Sequence, residues 1–284
     1  MTRSVHSVLS AVLNSNTWTS WKANNLDIDK IYNVDCMEGM KNIPDKSIDM
    51  ILCDLPYGTT ANKWDTIIPI EPLWAEYKRI IKDRGVIALT CQMPFTAILG
   101  ISNLEWLKYE YIWQKTNVTG FLNANKAPLK IHENILIFAA GQPTYNPQLK
   151  YNGKKWKGRG SVGNNYKIRE NPNNYGDFND ENKSSNPGFK YPNDILKFDY
   201  DQDKIHPTQK PVKLFEFLIR TYSNEGEIIL DNCMGSGTTA VAAIRNNRHF
   251  MGFELDPDYY KQACERVDAE IMHEKTKTSI LDCW

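Results

Sequence analysis

Five consecutive residues, Asp54-Leu55-Pro56-Tyr57-Gly58, set a carboxylate, a proline and an aromatic ring directly after an apolar run. That run, Ser47 to Cys53, is short and rich in β-formers, as a buried strand should be. In an open parallel sheet the carboxyl ends of strands line the ligand crevice, which presents Asp54 and Tyr57 to a ligand rather than to a core. Pro56 stiffens the turn that holds them. The plain alternative is a strand ending in an Asp-x-Pro turn, which is common turn chemistry.

A second stretch with chemistry runs from Ile228 to Thr239 and contains Asp231-Asn232-Cys233-Met234-Gly235-Ser236-Gly237-Thr238-Thr239. A strand, a turn with two glycines and a helix start let backbone approach a ligand closely and leave amide donors pointing outward. No lysine stands in the GK[ST] position and the spacing is not GxGxxG, which argues against a nucleotide phosphate. Glu254 closes the next apolar run, Phe250 to Phe253, where a carboxylate can accept hydrogen bonds from both hydroxyls of a ribose. The pattern suggests an adenosine-bearing ligand without a triphosphate.

Both stretches need a sheet to hold them. The spacing predicts strands over Lys30–Val34, the run into Asp54, Val86–Thr90, Tyr109–Trp113, Ile135–Ala139, Glu227–Leu230 and Phe250–Glu254. Helices are predicted over Met37–Asn42, Pro72–Lys82 with Gly85 as its stop, Pro94–Asn103, Lys210–Tyr222, Thr238–Asn246 and Pro257 to about His273. Strand and helix alternate, as in an α/β fold with a mostly parallel sheet and helices on both faces. A long polar connection is expected from Lys115 to Glu133. From Gly141 to Lys204 the aliphatics thin out and Asn, Gly, Lys, Tyr and Pro dominate, too long a stretch for an ordinary loop. This marks three regions: 1–140 with a lead-in, Met1 to Leu13, that is a short helix or ragged; 141–204 as an insert; and 205–284.

The 284 residues are 41% hydrophobic, enough for one substantial core. No apolar run approaches the roughly 20 residues that span a bilayer, and the lead-in is a poor signal peptide. Six scattered cysteines without CxxC pairs argue against a metal site or a disulfide framework and fit a reducing cytoplasm. Lys plus Arg equals Asp plus Glu at 34 each, so nucleic-acid binding must rely on local patches. One candidate is Lys150 to Arg169, where Lys150, Lys154, Lys155, Lys157, Arg159, Lys167 and Arg169 alternate with Tyr151, Trp156 and Tyr166 and no acid intervenes. A solvated loop whose aromatics dock on the core is the alternative.

In combination these residues resemble the β group of S-adenosylmethionine-dependent DNA amino-methyltransferases, which modify N6 of adenine or N4 of cytosine. That family pairs an [Asp/Asn/Ser]-Pro-Pro-[Tyr/Phe/Trp] loop with a turn of the form Asp-Pro-Phe-x-Gly-Ser-Gly-Thr-Thr. Here the loop precedes the turn, as in the β group, and His206-Pro207-Thr208-Gln209-Lys210-Pro211 stands just before the cofactor strand. Asn33-Val34-Asp35-Cys36 resembles the group's adenine-contacting element, and Trp113 to Lys115 with His132-Glu133-Asn134 its strand pair beside the target base. Leu55 replaces the first proline but keeps a backbone carbonyl; Asn232-Cys233 replaces Pro-Phe.

The resemblance implies a Rossmann-like methyltransferase fold, S-adenosylmethionine as cofactor and double-stranded DNA as partner, with room for a homodimer and a companion restriction endonuclease. It implies catalysis by Asp54, Leu55, Pro56 and Tyr57. Cofactor contacts would come from Asp35, Cys36, Asp54, Thr208, Gln209, Lys210, Asp231, Cys233, Met234, Gly235, Ser236, Gly237, Thr238, Thr239 and Glu254. Lys115, Lys126, Lys154, Lys155, Lys157 and Arg159 would face DNA, the 141–204 insert would read the sequence, and no metal is required. The implied activity is site-specific transfer of a methyl group to N6 of adenine after base flipping. N4-cytosine transfer, or a cofactor-binding DNA-binding subunit without catalysis, are the competing readings.

Overall fold

Strand β2, Ile48–Asp54, is buried along nearly its whole length, and its side chains alternate between two cores. Met50 and Leu52 join one core; Ile51 and Cys53 join the other. A strand apolar on both faces must be covered on both, which dictates a three-layer arrangement. The computed structural model of the chain describes residues 26–58, 65–151, 189–202 and 209–281. The lead-in, Met1 to Leu13, lies outside them.

In chain order the described elements are β1 Lys30–Tyr32, α1 Cys36–Met40, β2, α2 Ile70–Ile80, β3 Ile81–Cys91, α3 Phe95–Ser102, β4 Leu107–Thr119 and β5 Lys130–Phe138. They continue with β6 Lys150–Tyr151, β7 Phe189–Lys190, β8 Ile195–Lys197, α4 Val212–Tyr222, β9 Ile228–Asp231, α5 Thr238–Arg245, β10 His249–Phe253 and α6 Pro257–Leu281. Eight strands form one sheet in the order β1-β10-β9-β2-β3-β5-β4-β8. All neighbours run parallel except β3 with β5 and β5 with β4. Helices α1, α2 and α3 cover one face, and α4, α5 and α6 the other.

From β2 the chain passes through α2 to β3 on one side; from β9 it passes through α5 to β10 on the other. β2 and β9 are neighbours, with Ile51 opposite Leu230. The strand order therefore reverses between them, and in open α/β sheets such a switch point opens a crevice at the carboxyl ends. Asp54 and the turn after Asp231 flank it. At the opposite end of the pair, Asp49 accepts from Lys82 at 2.7 Å and from the Ile228 amide at 3.0 Å, fixing the register.

Three expectations change. Gly85 does not stop α2: that helix ends at Ile80 and β3 follows directly, with Gly85 inside it, where a Cβ would lie 2.9 Å from the Asp49 carbonyl. The connection from Lys115 to Glu133 is strand at both ends, to Thr119 and from Lys130, with only the turn between them irregular, because β4 and β5 pair from Leu107↔Phe138 out to Thr119↔Lys130. The chain also divides into two compact units, 1–146 with 194–284 and Pro147–Asn193, so that the segment read as 141–204 contributes β8 to the main sheet beside β4. In the smaller unit the described residues form a two-strand ladder, β6 with β7.

Gly39 in α1 packs directly on the Phe253 ring, where a Cβ would meet ring carbons at 2.4 Å. Alanine improves helix propensity by about 1 kcal/mol, but overpacking a closed core costs about 1–3 kcal/mol. Because Phe253 is fully buried, packing should win: Gly39→Ala is expected to lose about 1–2 kcal/mol in denaturant unfolding.

Candidate active site

The end of β2 places Asp54 opposite Thr90 of β3. Its Oδ1 accepts a short hydrogen bond from the Thr90 hydroxyl and one of 2.6 Å from the Tyr57 hydroxyl. Its Oδ2 accepts from Lys210 Nζ at 2.7 Å. Lys210 also lies 3.2 Å from Glu133 Oε2, an electrostatic contact outside hydrogen-bond geometry, and Glu133 Oε1 accepts from Lys115 at 2.8 Å. The result is an alternating row, Lys115, Glu133, Lys210, Asp54, whose first three side chains are each less than a tenth exposed. Burial alone would lower the Lys210 pKa, but Asp54 and Glu133 outweigh it and hold it above its usual value. Burial would likewise raise Glu133, yet Lys210 and Lys115 hold it below the usual carboxylate range. Both groups stay charged because each has a partner of opposite sign.

Tyr57 has a phenol pKa driven well up, first by burial and then by the Asp54 charge, so it remains a hydrogen-bond donor. Its ring stacks on Phe95 at 5.6 Å between centroids, and Lys210 Nζ lies 5.6 Å from the ring centre. The Leu55 side chain is buried in the same core as Phe95.

The glycine turn begins at Asp231, whose carboxylate accepts from the Cys233 amide at 3.0 Å and from Thr239 by a short bond. Burial pushes this carboxyl up to about 6. Asn232 turns into the core, accepting from Tyr77 of α2 at 2.5 Å and donating towards Cys36 and Cys233. Gly235 and Gly237 adopt left-handed backbone at φ 53° and 79°, which favours glycine, and Gly237 starts α5. The Gly235 amide donates to Glu254 Oε2 at 2.7 Å, and Glu254 Oε1 accepts from Asp256. Burial raises the Glu254 pKa. Arg266 of α6 donates to the Ser236 carbonyl at 2.9 Å, closing the turn from behind.

The structure thus brings Asp54, Tyr57 and Lys210 into one cluster and Asp231, Cys233, Met234, Gly235, Ser236, Gly237, Thr238, Thr239 and Glu254 into the adjoining turn. Asp35 caps α1, accepting from the Met37 and Glu38 amides, and Cys36 is buried beside Asn232. Gln209 is buried and donates to Asp201 at 3.1 Å. Lys115 is a correction: expected to face DNA, it is buried and neutralised by Glu133, because β4 and β5 extend past it as paired strands. Lys126 is exposed on the connection between those strands. Thr208, Lys154, Lys155, Lys157 and Arg159 lie outside the described residues. Sequence reasoning missed Thr90, Tyr77 and Arg266, none of which stands in a motif, and it gave no charge partner to Lys210.

An α/β sheet with an acid-Leu-Pro-Tyr loop and a glycine turn side by side at its switch point defines a class of Rossmann-like group-transfer enzymes. A DNA methylase family model of the N6/N4 type matches residues 48–265, and the chain belongs to that family of amino-methyltransferases of DNA. It is 28% identical over 249 residues to the DNA adenine methyltransferase YhdJ of Escherichia coli K12, covering 82% of this chain and 81% of that one. Among solved structures it resembles the M1.HpyAVI–SAM complex, with a TM-score of 0.55 and 21% identity over 84% of this chain and 98% of that one. It also resembles the cytosine-N4-specific PvuII DNA methyltransferase, with a TM-score of 0.59 and 15% identity over 85% and 90%. At these identities the structures establish the shared fold.

Two outcomes follow from the charges. Glu133→Gln leaves two buried lysines with one carboxylate, and stability should fall by about 3 kcal/mol in denaturant melts. Adding Lys115→Met, which restores charge balance, should recover a large part of the loss; no recovery would mean that the row is not electrostatically coupled. For Asp231 the sign is reversed. Its folded pKa of about 6 lies above the ordinary 3.8, so the native state binds the proton more tightly and stability falls as pH rises between those values. Asp231→Asn should therefore gain on the wild type by up to ~3 kcal/mol between pH 4 and pH 7, read as the difference in unfolding midpoints; a constant difference would count against the shift.

Proposed function

We propose that the protein transfers the methyl group of S-adenosylmethionine to N6 of adenine in double-stranded DNA. The observation that carries this reading is the Asp54 carboxylate, held by Thr90, Tyr57 and Lys210 at the end of β2, one strand from the glycine turn. The chain's residues fit the cofactor. Glu254 offers a carboxylate for a ribose diol, the Gly235 and Gly237 turn offers close backbone approach, and Asp35 and Cys36 stand at the carboxyl end of β1, beside β10 in the sheet. When bound, S-adenosylmethionine supplies an electrophilic methyl on a sulfonium.

The chain has to make a poor nucleophile competent. The lone pair of adenine N6 is delocalised into the ring. Asp54 and the Leu55 carbonyl accept the two amine hydrogens and favour a pyramidal nitrogen with its lone pair directed outward. This is positioning combined with stabilisation of the positive charge that develops on nitrogen. Asp54 takes the proton that the methylated amine releases. Lys210 occupies Oδ2 in the resting arrangement and has Glu133 as a second anion within reach, so Asp54 can exchange that contact for the amine without stranding a buried cation. The target base has to leave the duplex to reach this depth. Pro56 keeps the Leu55 carbonyl and the Tyr57 ring in fixed relation. The Pro147–Asn193 unit, with its cation-rich sequence, is the part assigned to sequence recognition.

The adenine-specific relative YhdJ and the acidic first residue of the loop favour adenine. Transfer of labelled methyl to duplex DNA, followed by nucleoside analysis, tests the reading. N6-methyladenine should appear with the wild type, and Asp54→Ala should lower the rate by about 100-fold or more while cofactor binding persists. N4-methylcytosine would reassign the base and retain the mechanism; cofactor binding without transfer to any DNA would leave a non-catalytic DNA-binding subunit.

A further inference from the structure

β4 and β5 do not end with the sheet. Thr90, at the level of Asp54, pairs with Ile135, and the last residue of β3, Cys91, pairs with Asn134. β5 nevertheless begins at Lys130, and its partner β4 runs to Thr119. At about 3.3 Å per residue, the five steps from Ile135 back to Lys130 carry this hairpin roughly 17 Å beyond the level of Thr90, on the carboxyl side where the crevice opens. The Lys115–Glu133 pair anchors its base, and Lys130 Nζ reaches Gln92 Oε1 at 2.5 Å to brace it against the end of β3.

The tip is an ordered turn. Gly120 is left-handed at φ 94°, Phe121–Asn123 form a 3-10 turn, and Lys126 and Ala127 donate their amides to the Asn123 carbonyl. On this turn Leu122 is fully exposed at 101% and Phe121 is 66% exposed. A single exposed apolar side chain needs no explanation, but two adjacent ones held outward on a braced turn mark a contact surface. The surroundings specify the partner. From Gln114 to His132 the sequence contains no acid, while Lys126 and Lys130 are exposed there. An apolar tip flanked by cations, raised beside a crevice that receives a base, complements a polyanion with apolar stacked planes inside it.

We propose that Phe121 and Leu122 form a wedge that enters the base stack of duplex DNA at the target base, with Lys126 meeting a flanking phosphate. This rests on the reading that the protein flips a base out of DNA. Extruding a nucleotide costs its stacking and pairing, and apolar side chains inserted between base steps replace part of the lost contact. The wedge lowers the cost of opening and leaves the chemical step to Asp54.

The test compares a duplex carrying the modified sequence, mapped first on genomic DNA, with the same duplex mismatched at the target base, which is already unpaired. Phe121→Ala/Leu122→Ala should lower kcat/KM for methyl transfer at least tenfold on the paired duplex and by no more than two- to threefold on the mismatched one. Leu122→Met in the presence of Phe121 should restore most of the activity on the paired duplex. Lys126→Ala should weaken binding to both duplexes and reduce the salt slope by about one. Equal losses on both duplexes, or no loss on the paired one, would overturn the wedge. A wild type that methylates neither duplex would instead remove the DNA reading on which it depends.

Discussion

A lysine cannot be buried alone, and the site is built around that constraint. Lys115 and Lys210 lie inside the protein because Glu133 stands beside both and Asp54 receives the second. An isolated buried charge is prohibitively costly in a low-dielectric interior, whereas an alternating row is tolerated. The row joins β4, β5, the segment before α4 and the end of β2. The carboxylate at the crevice is thereby fixed in position and orientation by residues that cannot move independently.

The adjoining turn follows a different rule. Its acid, Asp231, has hydroxyl and amide donors but, among the described residues, no cation within its hydrogen-bonding shell, so burial raises its pKa where Glu133 is held down. Asn232 bonds to Tyr77 of α2, and the thiols of Cys36 and Cys233 lie beside it: Cys233 and burial drive the Cys36 thiol up, while the Cys233 thiol, lowered by Cys36, is driven up overall by Cys53 and burial. These neutral groups pack at the start of the turn that carries the two left-handed glycines, whose own amides are held by Glu254 and by the Met234 carbonyl. One half of the site is rigid through charge, the other through packing. Their junction is the β2–β9 pair, whose register is fixed at its far end by Asp49.

The sequence is most legible where a local rule is strong. The apolar run into Asp54, the glycine turn before α5 and the helical spacing of Leu73, Trp74 and Tyr77 each announce an element within a few residues. Reading fails where structure depends on a partner. Lys115-Thr116-Asn117-Val118-Thr119 has no clean alternation and looks like a loop; it is strand because β5 lies alongside it. Gly85 resembles a helix stop, yet Ile81 is drawn directly into the sheet opposite Ile48, and the glycine serves a close approach to β2. Ile195–Lys197 sits in polar, aperiodic sequence and becomes a strand only by adding to the edge of β4.

By itself, then, the sequence determined the elements and their order: acid-Leu-Pro-Tyr loop first, glycine turn last, both at strand ends of an α/β alternation. Those properties depend on side-chain periodicity and turn chemistry, which are local. Tertiary structure decided the partnerships. Lys210 meets Asp54 across 156 positions, Tyr77 meets Asn232 across 155, and Lys115 belongs to the interior rather than to DNA. Such contacts depend on strand order and register, set when both faces of the sheet are buried at once. No window of local sequence contains that information.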